Sequence, residues 1–314
     1  MKSISAADYP RLSVVICTVN RPDLIASAVR SVLDNDYPSF EVVVLDQSRD
    51  DATEKVLQPL LSDDRLRYKR LERVGLSYAY NQGIALARAD LIAFTDDDCV
   101  APRDWLESIE ATLEHHPDVE LLYGETLVAP ELADVESVVP SVRYGKERKM
   151  GRGHGFEVGG MGANFAMRRS LVDRIGGFDE ALGGGGPLRS SQDFDFLYRA
   201  YRQGAVCLMT PAVWVHHYGL RKDAQWLETL KAYGVGDGAF YMKHVRCRDF
   251  FALRLLATRI ARLFLRELRK VGSRRGTEWT YLASYFTGMR MSMRYGIDTD
   301  RRLYRLAGAT EPAS

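Results

Sequence analysis

Short apolar runs alternate with stretches of helical periodicity over the first hundred residues, the pattern of a parallel sheet with crossover helices. Leu12–Thr18 (LSVVICT) reads as a buried strand. Pro22 then stands at a helix start, and Leu24, Ile25, Ala28, Val29, Val32 and Leu33 recur on one helical face. Phe40–Asp46 predicts a second strand, Asp51–Leu61 a helix, Leu66–Leu71 a third strand, Ser77–Ala87 a helix and Leu91–Thr95 a fourth strand. Residues 130–162 form a long connection with a basic, glycine-rich part, Lys146–Gly155. Beyond it, ANFAMRRS reads as a strand turning into a helix, and a glycine-rich loop leads into an amphipathic helix from about Gln192 to Arg202. VCLMTPAVWVHHYG predicts two short strands. From about Trp226 the chain is mainly helical, with a polar tail after Gly308 and no internal repeat of solenoid period.

The 314 residues are 46% hydrophobic and 27% charged, an ordered globular composition. The net charge of +1 hides a polarised distribution: acids outnumber bases through residue 242, whereas residues 243–275 hold eleven Lys/Arg against two Asp/Glu. A globally basic nucleic-acid binder is excluded by that balance, so no nucleic-acid partner is expected. Cys17, Cys99, Cys207 and Cys247 lie far apart without a CxxC pair, which argues against a zinc ribbon or a disulfide scaffold and fits reduced thiols in a cytoplasmic setting. The N-terminal apolar run starts after an acidic residue and ends in Asn-Arg-Pro-Asp, so it reads as a first strand rather than a signal peptide. No uncharged apolar stretch reaches the roughly 18 residues needed to cross a bilayer.

Each of the first four strands ends in polar residues, and open α/β sheets bind ligands beyond those carboxyl ends. The residues there are Thr18, Asn20 and Arg21, then Asp46, Gln47 and Ser48, then Asp96, Asp97 and Asp98. No GxGxxG follows the first strand, so a Rossmann dinucleotide site is not expected. Acids stand where glycines would. They would repel a bare pyrophosphate, which implies a bridging divalent cation if the ligand is a nucleotide. Three consecutive acids in TDDDC (Thr95–Cys99) need solvent, a capping role or a cation. Acids opening a helix before Arg103 are the competing reading, and strand alternation lets Asp96 and Asp98 face one side together.

Taken in order, four segments over roughly residues 10–225 resemble a family 2 glycosyltransferase of the GT-A fold. SVVICTVNRPDLIASAVRSVL resembles its opening strand and helix, and VVVLDQSRDDAT its nucleotide-contacting strand end. ERVGLSYAYNQGIALARADLIAFTDDD resembles the run into its Asp-x-Asp motif, and GGFDEAL followed by SSQDFDF its acceptor-side loop and base. The resemblance implies an α/β GT-A domain over 1–225, with a nucleotide-binding half over about 10–128 and an acceptor half over about 129–225. A helical region over 226–314 follows. It further implies an inverting, metal-dependent transferase using a nucleotide-diphosphate sugar and Mn2+ or Mg2+, with a carbohydrate or lipid-linked acceptor, as in cell-envelope or polysaccharide biosynthesis.

Residue by residue, the resemblance assigns Asp46 to the base or ribose of the nucleotide, a turn-capping Asp being the competing reading. It gives Asp98 to the metal, Asp96 or Asp97 to the ribose and metal shell, and Arg73 and Asn81 to the donor's sugar or phosphates. Gly159–Phe165 (GGMGANF) marks a close backbone approach, with Asn164 its side-chain contact. The family has Glu-Asp where this chain has Gln192-Asp193; the residue carried over as general base is Asp193, with Asp195 as the alternative. A histidine of His216-His217 stands where the family places a metal or diphosphate contact. Alternation allows one of the pair to face the site, and the spacing to Arg221 favours His217.

In Phe250–Lys270, Arg259, Arg262, Arg266 and Arg269 fall on one helical face opposite Leu256, Ile260, Leu263, Phe264 and Leu268. Such a helix suits peripheral contact with the inner face of a membrane, and equally suits packing on the catalytic domain or a homo-oligomer contact. Two other functions compete with sugar transfer: a nucleotidyltransferase, which would want a basic phosphate loop where CTVNRPD offers only Arg21, and a non-catalytic sugar-nucleotide-binding module.

Overall fold

The computed structural model describes residues 10–133, 135, 138–221, 223–269 and 277–306, so Lys270 and the polar tail after Gly308 lie outside the described residues. The chain divides into two compact units: Met1–Val74, Tyr78–Gly177 and Phe196–Arg221 in the first, and Gly75–Ser77, Phe178–Asp195 and Lys222–Ser314 in the second. The glycine-rich segment before Asp193 therefore belongs with the C-terminal helices, a grouping different from a single cut near residue 225.

The first unit is built on β1 (Leu12–Thr18), α1 (Pro22–Leu33), β2 (Phe40–Asp46), α2 (Ala52–Leu57), β3 (Leu66–Arg70), α3 (Leu76–Leu86) and β4 (Leu91–Asp96). β5 (Cys99–Val100), α4 (Trp105–His115), β6 (Val119–Val128), β7 (Arg148–Met150), β8 (Asn164–Arg168) and α5 (Arg169–Ile175) follow, then α6 (Gln192–Arg202), of which this unit holds the part from Phe196 on, and β9 (Val206–His217). The strands form one nine-stranded sheet in the order β3-β2-β1-β4-β8-β6-β9-β5, with β7 also on β9. β1, β2, β3 and β4 are parallel, and β8 joins β4 antiparallel. Every residue of β1 and β2 is buried, which is why both strands read as unbroken rather than alternating apolar runs.

Two expected elements differ. The helix after β2 ends at Leu57, not Leu61, and continues as turns. VCLMTPAVWVHH forms one strand, β9, instead of two. Its pairing with β6 skips from Thr210 opposite Gly124 to Trp214 opposite Glu125, because Pro211 lacks the N–H a regular ladder needs and the extra residues are taken up in a bulge.

The second unit contains α7 (Asp223–Arg246), α8 (Phe250–Arg269), α9 (Thr277–Ser292) and the hairpin of β10 (Gly296–Asp298) with β11 (Leu303–Arg305). α7 and α9 meet through glycines: a Cβ on Gly234 or Gly238 would overlap backbone of α9, and one on Gly288 would overlap the carbonyl of Val235. Backbones can approach so closely only without side chains between them. The two guanidinium nitrogens of Arg246 take up the carbonyls of Ser292, at 2.7 Å, and Tyr295, at 2.9 Å, at the end of α9.

Candidate active site

β1 and β4 lie side by side at the point where the chain, having run outward through β2 and β3, returns to the other side of β1. This is the switch point at which open α/β sheets hold ligands. Cys17 pairs with Asp96 there, so Thr18 and the acidic triplet emerge together. Asn20 takes a left-handed conformation, φ +54°, which asparagine tolerates; its N–H donates to Ser48 Oγ at 2.8 Å and its Oδ1 accepts from Arg49 N at 3.2 Å. That turn precedes Arg21, whose Nη1 donates to Asp97 Oδ1 and Asp98 Oδ2, both at 2.9 Å. Thr18 Oγ1 donates to Asp97 Oδ2 at 2.6 Å.

Asp98 is buried at 4% exposure and also meets His217, at 3% exposure. His217 Nδ1 lies 2.7 Å from the carbonyl of Pro140, which can only accept, so the ring proton sits on Nδ1 and the Nε2 lone pair is left 3.1 Å from Asp98 Oδ1. While Nε2 is unprotonated, that oxygen has no hydrogen-bond donor among the described residues. Two facing lone pairs repel unless a proton or a cation lies between them. Gly219 keeps the adjoining space open, since a Cβ there would come within 2.5 Å of Asp98 Oδ2 and 2.6 Å of His217 Nε2. Asp98, Cys99 and His217 each offer a ligand atom within 4.8 Å of the others. Burial holds Cys99 firmly as a thiol, which leaves the oxygen and nitrogen donors as the ones suited to a hard or borderline divalent cation.

The charges follow from these contacts. Burial works against ionisation of Asp98, but His217, Arg21 and Arg221 together outweigh it and hold the carboxyl below its ordinary range. Burial likewise disfavours a charged His217, yet the bond and charge of Asp98 draw its pKa upward. Arg21 is pulled from water, and Asp97 and Asp98 more than restore its charge. For Asp96 the balance goes the other way: burial and then the negative Asp98 push it up to about 7 against the opposing charges of His217 and Arg21. The strand ends at Asp96 and turns through Asp97 and Asp98, so alternation no longer applies. The acids bonded to Arg21 are Asp97 and Asp98, while Asp96 lies 3.5 Å from Tyr80 Oη.

The profile of glycosyl transferase family 2 matches residues 13–176, more than half of the chain. The chain belongs to glycosyl transferase family 2. It is 29% identical over 174 residues to the glucosyl-dolichyl phosphate glucuronosyltransferase of Haloferax volcanii, covering 52% of this chain and 55% of that one. It is 28% identical over 180 residues to the pre-mycofactocin glycosyltransferase of Mycobacterium tuberculosis, covering 54% and 36%. The match thus spans about half or less of the curated relatives. Among solved structures, the mannosyltransferase PcManGT of Pyrobaculum calidifontis, in complex with GDP-Man and Mn2+, superposes with a TM-score of 0.57 at 19% identity over 91% of this chain and 84% of that one. S. aureus TarS 1-349 with UDP-GlcNAc gives 0.58 at 17% identity over 90% and 82%. The family 2 domain here therefore has the GT-A fold.

Within this family 2 chain, other expected site residues lie as follows. Asp46 is fully buried; Oδ1 accepts from Ser48 N at 2.8 Å and Oδ2 from the Tyr68 hydroxyl at 2.7 Å, so its carboxylate caps the turn after β2. Arg73 is exposed, its guanidinium 4.7 Å from the Tyr78 ring centroid. Asn81 is half-buried on α3, its amide against Gly177. Asn164 is a correction: it is wholly buried, accepts from Trp105 Nε1 at 3.0 Å and donates to the carbonyl of Glu125 at 2.8 Å. A side chain so committed ties β8 to α4 and β6 and has nothing to offer a donor. His216, one residue from His217 and hence on the other face of β9, sits 4.9 Å from the Trp214 ring and away from the Asp98 cluster.

In the second unit, Asp193 lies in the first turn of α6, half-buried, with Phe194 N donating to its Oδ1 at 2.9 Å. Asp195 is fully buried, 2.6 Å from Lys243 Nζ and 2.9 Å from His244 Nε2. A carboxylate so enclosed is unsuited to the base role offered as the alternative to Asp193. Sequence reading missed Pro140, Gly219, Tyr68 and Lys243. No local signal marks them, because each acts through a partner at least 22 residues away or, for Gly219, through the space it leaves.

Proposed function

We propose that this protein transfers a sugar from a nucleotide-diphosphate sugar to an acceptor hydroxyl, with inversion at the anomeric carbon. The observation that carries this reading is the pairing of Asp98 with His217 and Arg21 at the switch point between β1 and β4. Asp98 and His217 would hold a divalent cation, Mn2+ or Mg2+, which when bound neutralises the leaving diphosphate. Arg21 and Arg221 add fixed positive charge beside it, and Asp97 holds Arg21 in place through its bond to Thr18. Asp96 is assigned to the ribose and the outer shell of the cation. Asp193 accepts the acceptor's hydroxyl proton as that oxygen bonds to the anomeric carbon and the bond to the diphosphate oxygen breaks. Asp46 contributes by shaping the loop that carries Gln47 and Ser48.

UDP-glucose, UDP-N-acetylglucosamine, UDP-glucuronate and GDP-mannose, each with Mn2+, form the test panel. Release of a nucleoside diphosphate from one of them is the expected result. Release of pyrophosphate from UTP or GTP incubated with a sugar 1-phosphate, with no nucleoside diphosphate from the panel, would support the nucleotidyltransferase alternative, and binding without turnover the non-catalytic module.

We assign a lipid-linked acceptor, reached from the membrane surface, on the outward side of α8 and α9. Phe250, Leu253, Phe264 and Leu268 are exposed on α8, as are Trp279 and Phe286 on α9, with Arg254, Arg262, Arg266 and Arg269 also exposed. The helix face differs from the expected one. Arg259 is half-buried with its guanidinium 5.8 Å from the Tyr281 ring, while Phe264 and Leu268 face outward, because only the narrow strip of Ala252, Leu256, Leu263 and Glu267 is buried. No helix among the described residues is long and apolar enough to cross a membrane. The name of the Haloferax relative carries a dolichyl phosphate, which agrees with such an acceptor. Each arginine near an anionic surface adds roughly 1 kcal/mol, so vesicles of anionic lipid are expected to sediment the protein at low salt. Changing Arg254, Arg262, Arg266 and Arg269 to Gln is expected to release it. No sedimentation of the unaltered protein would leave a second copy of the chain as the partner of this face.

A further inference from the structure

The segment leading to Asp193 is built in an unusual way. Arg189 and Ser191 both occupy the left-handed region, at φ +71° and +68°, although neither is glycine, asparagine or aspartate. Residues with a Cβ avoid that region unless their surroundings over-determine it, and such strain collects at functional sites. What over-determines it here is α7. Ser190 Oγ donates to the carbonyl of Ala232 at 3.0 Å, and Ser191 Oγ donates to Asp237 Oδ1 at 2.6 Å. Asp237 is 7% exposed, and its second oxygen accepts the Tyr281 hydroxyl of α9. Gly236 makes the approach feasible, because a Cβ there would run into the backbone and hydroxyl of Ser190.

Past Asp193 stands a second anchor. Lys243 Nζ lies 2.6 Å from both Asp179 Oδ2 and Asp195 Oδ1, and His244 Nε2 lies 2.9 Å from the same Asp195 oxygen, all four side chains being at zero exposure. Asp179 Oδ2 also accepts the N–H of Tyr304 at 2.9 Å. Buried ion groups of this kind are often no more stabilising than apolar residues of similar size, but this one does fix the place of Asp195 against α7. The pattern in sequence is telling: Ser191 and Asp195, two residues to either side, are buried and fastened to α7, while Asp193 between them keeps access to solvent.

We propose that Asp237 and Lys243 of α7 are positioning residues, which hold the carboxylate of Asp193 by fastening Ser191 on one side of it and Asp195 on the other. The proposal rests on the reading of Asp193 as the general base. It gives α7 a part in sugar transfer: it holds the segment that carries the base. The sequence GVGDG (Gly234–Gly238) is then a joint, in which Gly234 and Gly238 admit α9, Gly236 admits Ser190, and Asp237 ties Ser191 to Tyr281.

The test compares the full chain with Asp237→Ala, Asp237→Asn and Ser191→Gly by hydrogen–deuterium exchange, with peptides of β1 and α4 as internal references. Exchange over residues 189–194 is expected to quicken at least about tenfold in Asp237→Ala and Ser191→Gly, with less than a twofold change in the references. Asp237→Asn, which keeps an acceptor for Ser191, is expected to restore most of the protection. With whichever of the four panel donors turns over, kcat is expected to fall about tenfold in Ser191→Gly at unchanged donor KM. Its thermal midpoint should fall by only a few degrees, since relief of the left-handed strain offsets part of the lost bond to the buried Asp237. A merely structural bond would give lower stability at full kcat. Unchanged exchange over 189–194, or full kcat despite faster exchange, overturns the proposal. Wild-type transfer by Asp193→Asn would instead overturn the base assignment, whichever way the exchange falls.

Discussion

Alanine at Asp98 is expected to weaken Mn2+-dependent binding of the nucleotide sugar by at least about a hundredfold, measured by calorimetry with and without EDTA. Changing a residue that only hydrogen-bonds to a metal ligand typically costs ten- to a hundredfold in metal affinity, and Asp98 is proposed as a direct ligand. The same substitution removes the carboxylate that offsets Arg21, Arg221 and His217. Freed of it, these groups can meet the diphosphate directly, so weak binding that ignores EDTA is expected to remain in Asp98→Ala. The pH dependence has a definite sign. Asp98 raises the pKa of His217 above the ordinary value of about 6.5, and a bound cation must displace that proton. Apparent Mn2+ affinity should therefore climb as pH rises through and above that value, and His217→Gln should flatten the climb. Equal affinity in the presence and absence of EDTA, with Asp98→Ala neutral, would remove the cation from the mechanism.

Asp193→Asn is expected to preserve the fold and donor binding while lowering transfer by about a hundredfold or more, the scale on which a general base contributes. Asp195→Asn should behave differently. It strips Lys243 and His244 of a buried partner, and breaking a buried ion pair from one side costs about 3–5 kcal/mol, so its thermal midpoint should drop before any question of chemistry arises. Measuring both variants by thermal unfolding and by nucleoside diphosphate release separates the two carboxylates. A stable Asp195→Asn that has lost transfer, beside an active Asp193→Asn, would place the base two residues further along α6.

The sequence by itself determined the architecture of the first hundred residues, because strands buried on both faces leave unbroken apolar runs and the helices between them keep a 3.6-residue period. It also determined that the acids after β4 stand at a strand end, since strand polarity and chain order place them there. The four segments, in their order, mark the chain as a family 2 sequence without reference to its folding. Tertiary structure alone decided which of these residues meet. His217 rather than His216 reaches Asp98 because β9 pairs with β5 in the register Cys99 to His217, a long-range fact that alternation leaves open. The carbonyl that sets its tautomer comes from Pro140, 77 residues away. Asn164 has the composition of a contact residue but is spent on Trp105 and Glu125, and Asp46 is tied up by Ser48 and Tyr68. The basic helix turned differently from its periodic pattern, for a period states how residues are spaced around an axis and is silent on which neighbour covers them. Local periodicity records burial and secondary structure; the pairing of polar groups depends on segments distant in the chain, and the glycines, lysine and carboxylates that fasten Ser191 and Asp195 to α7 carry no local mark at all.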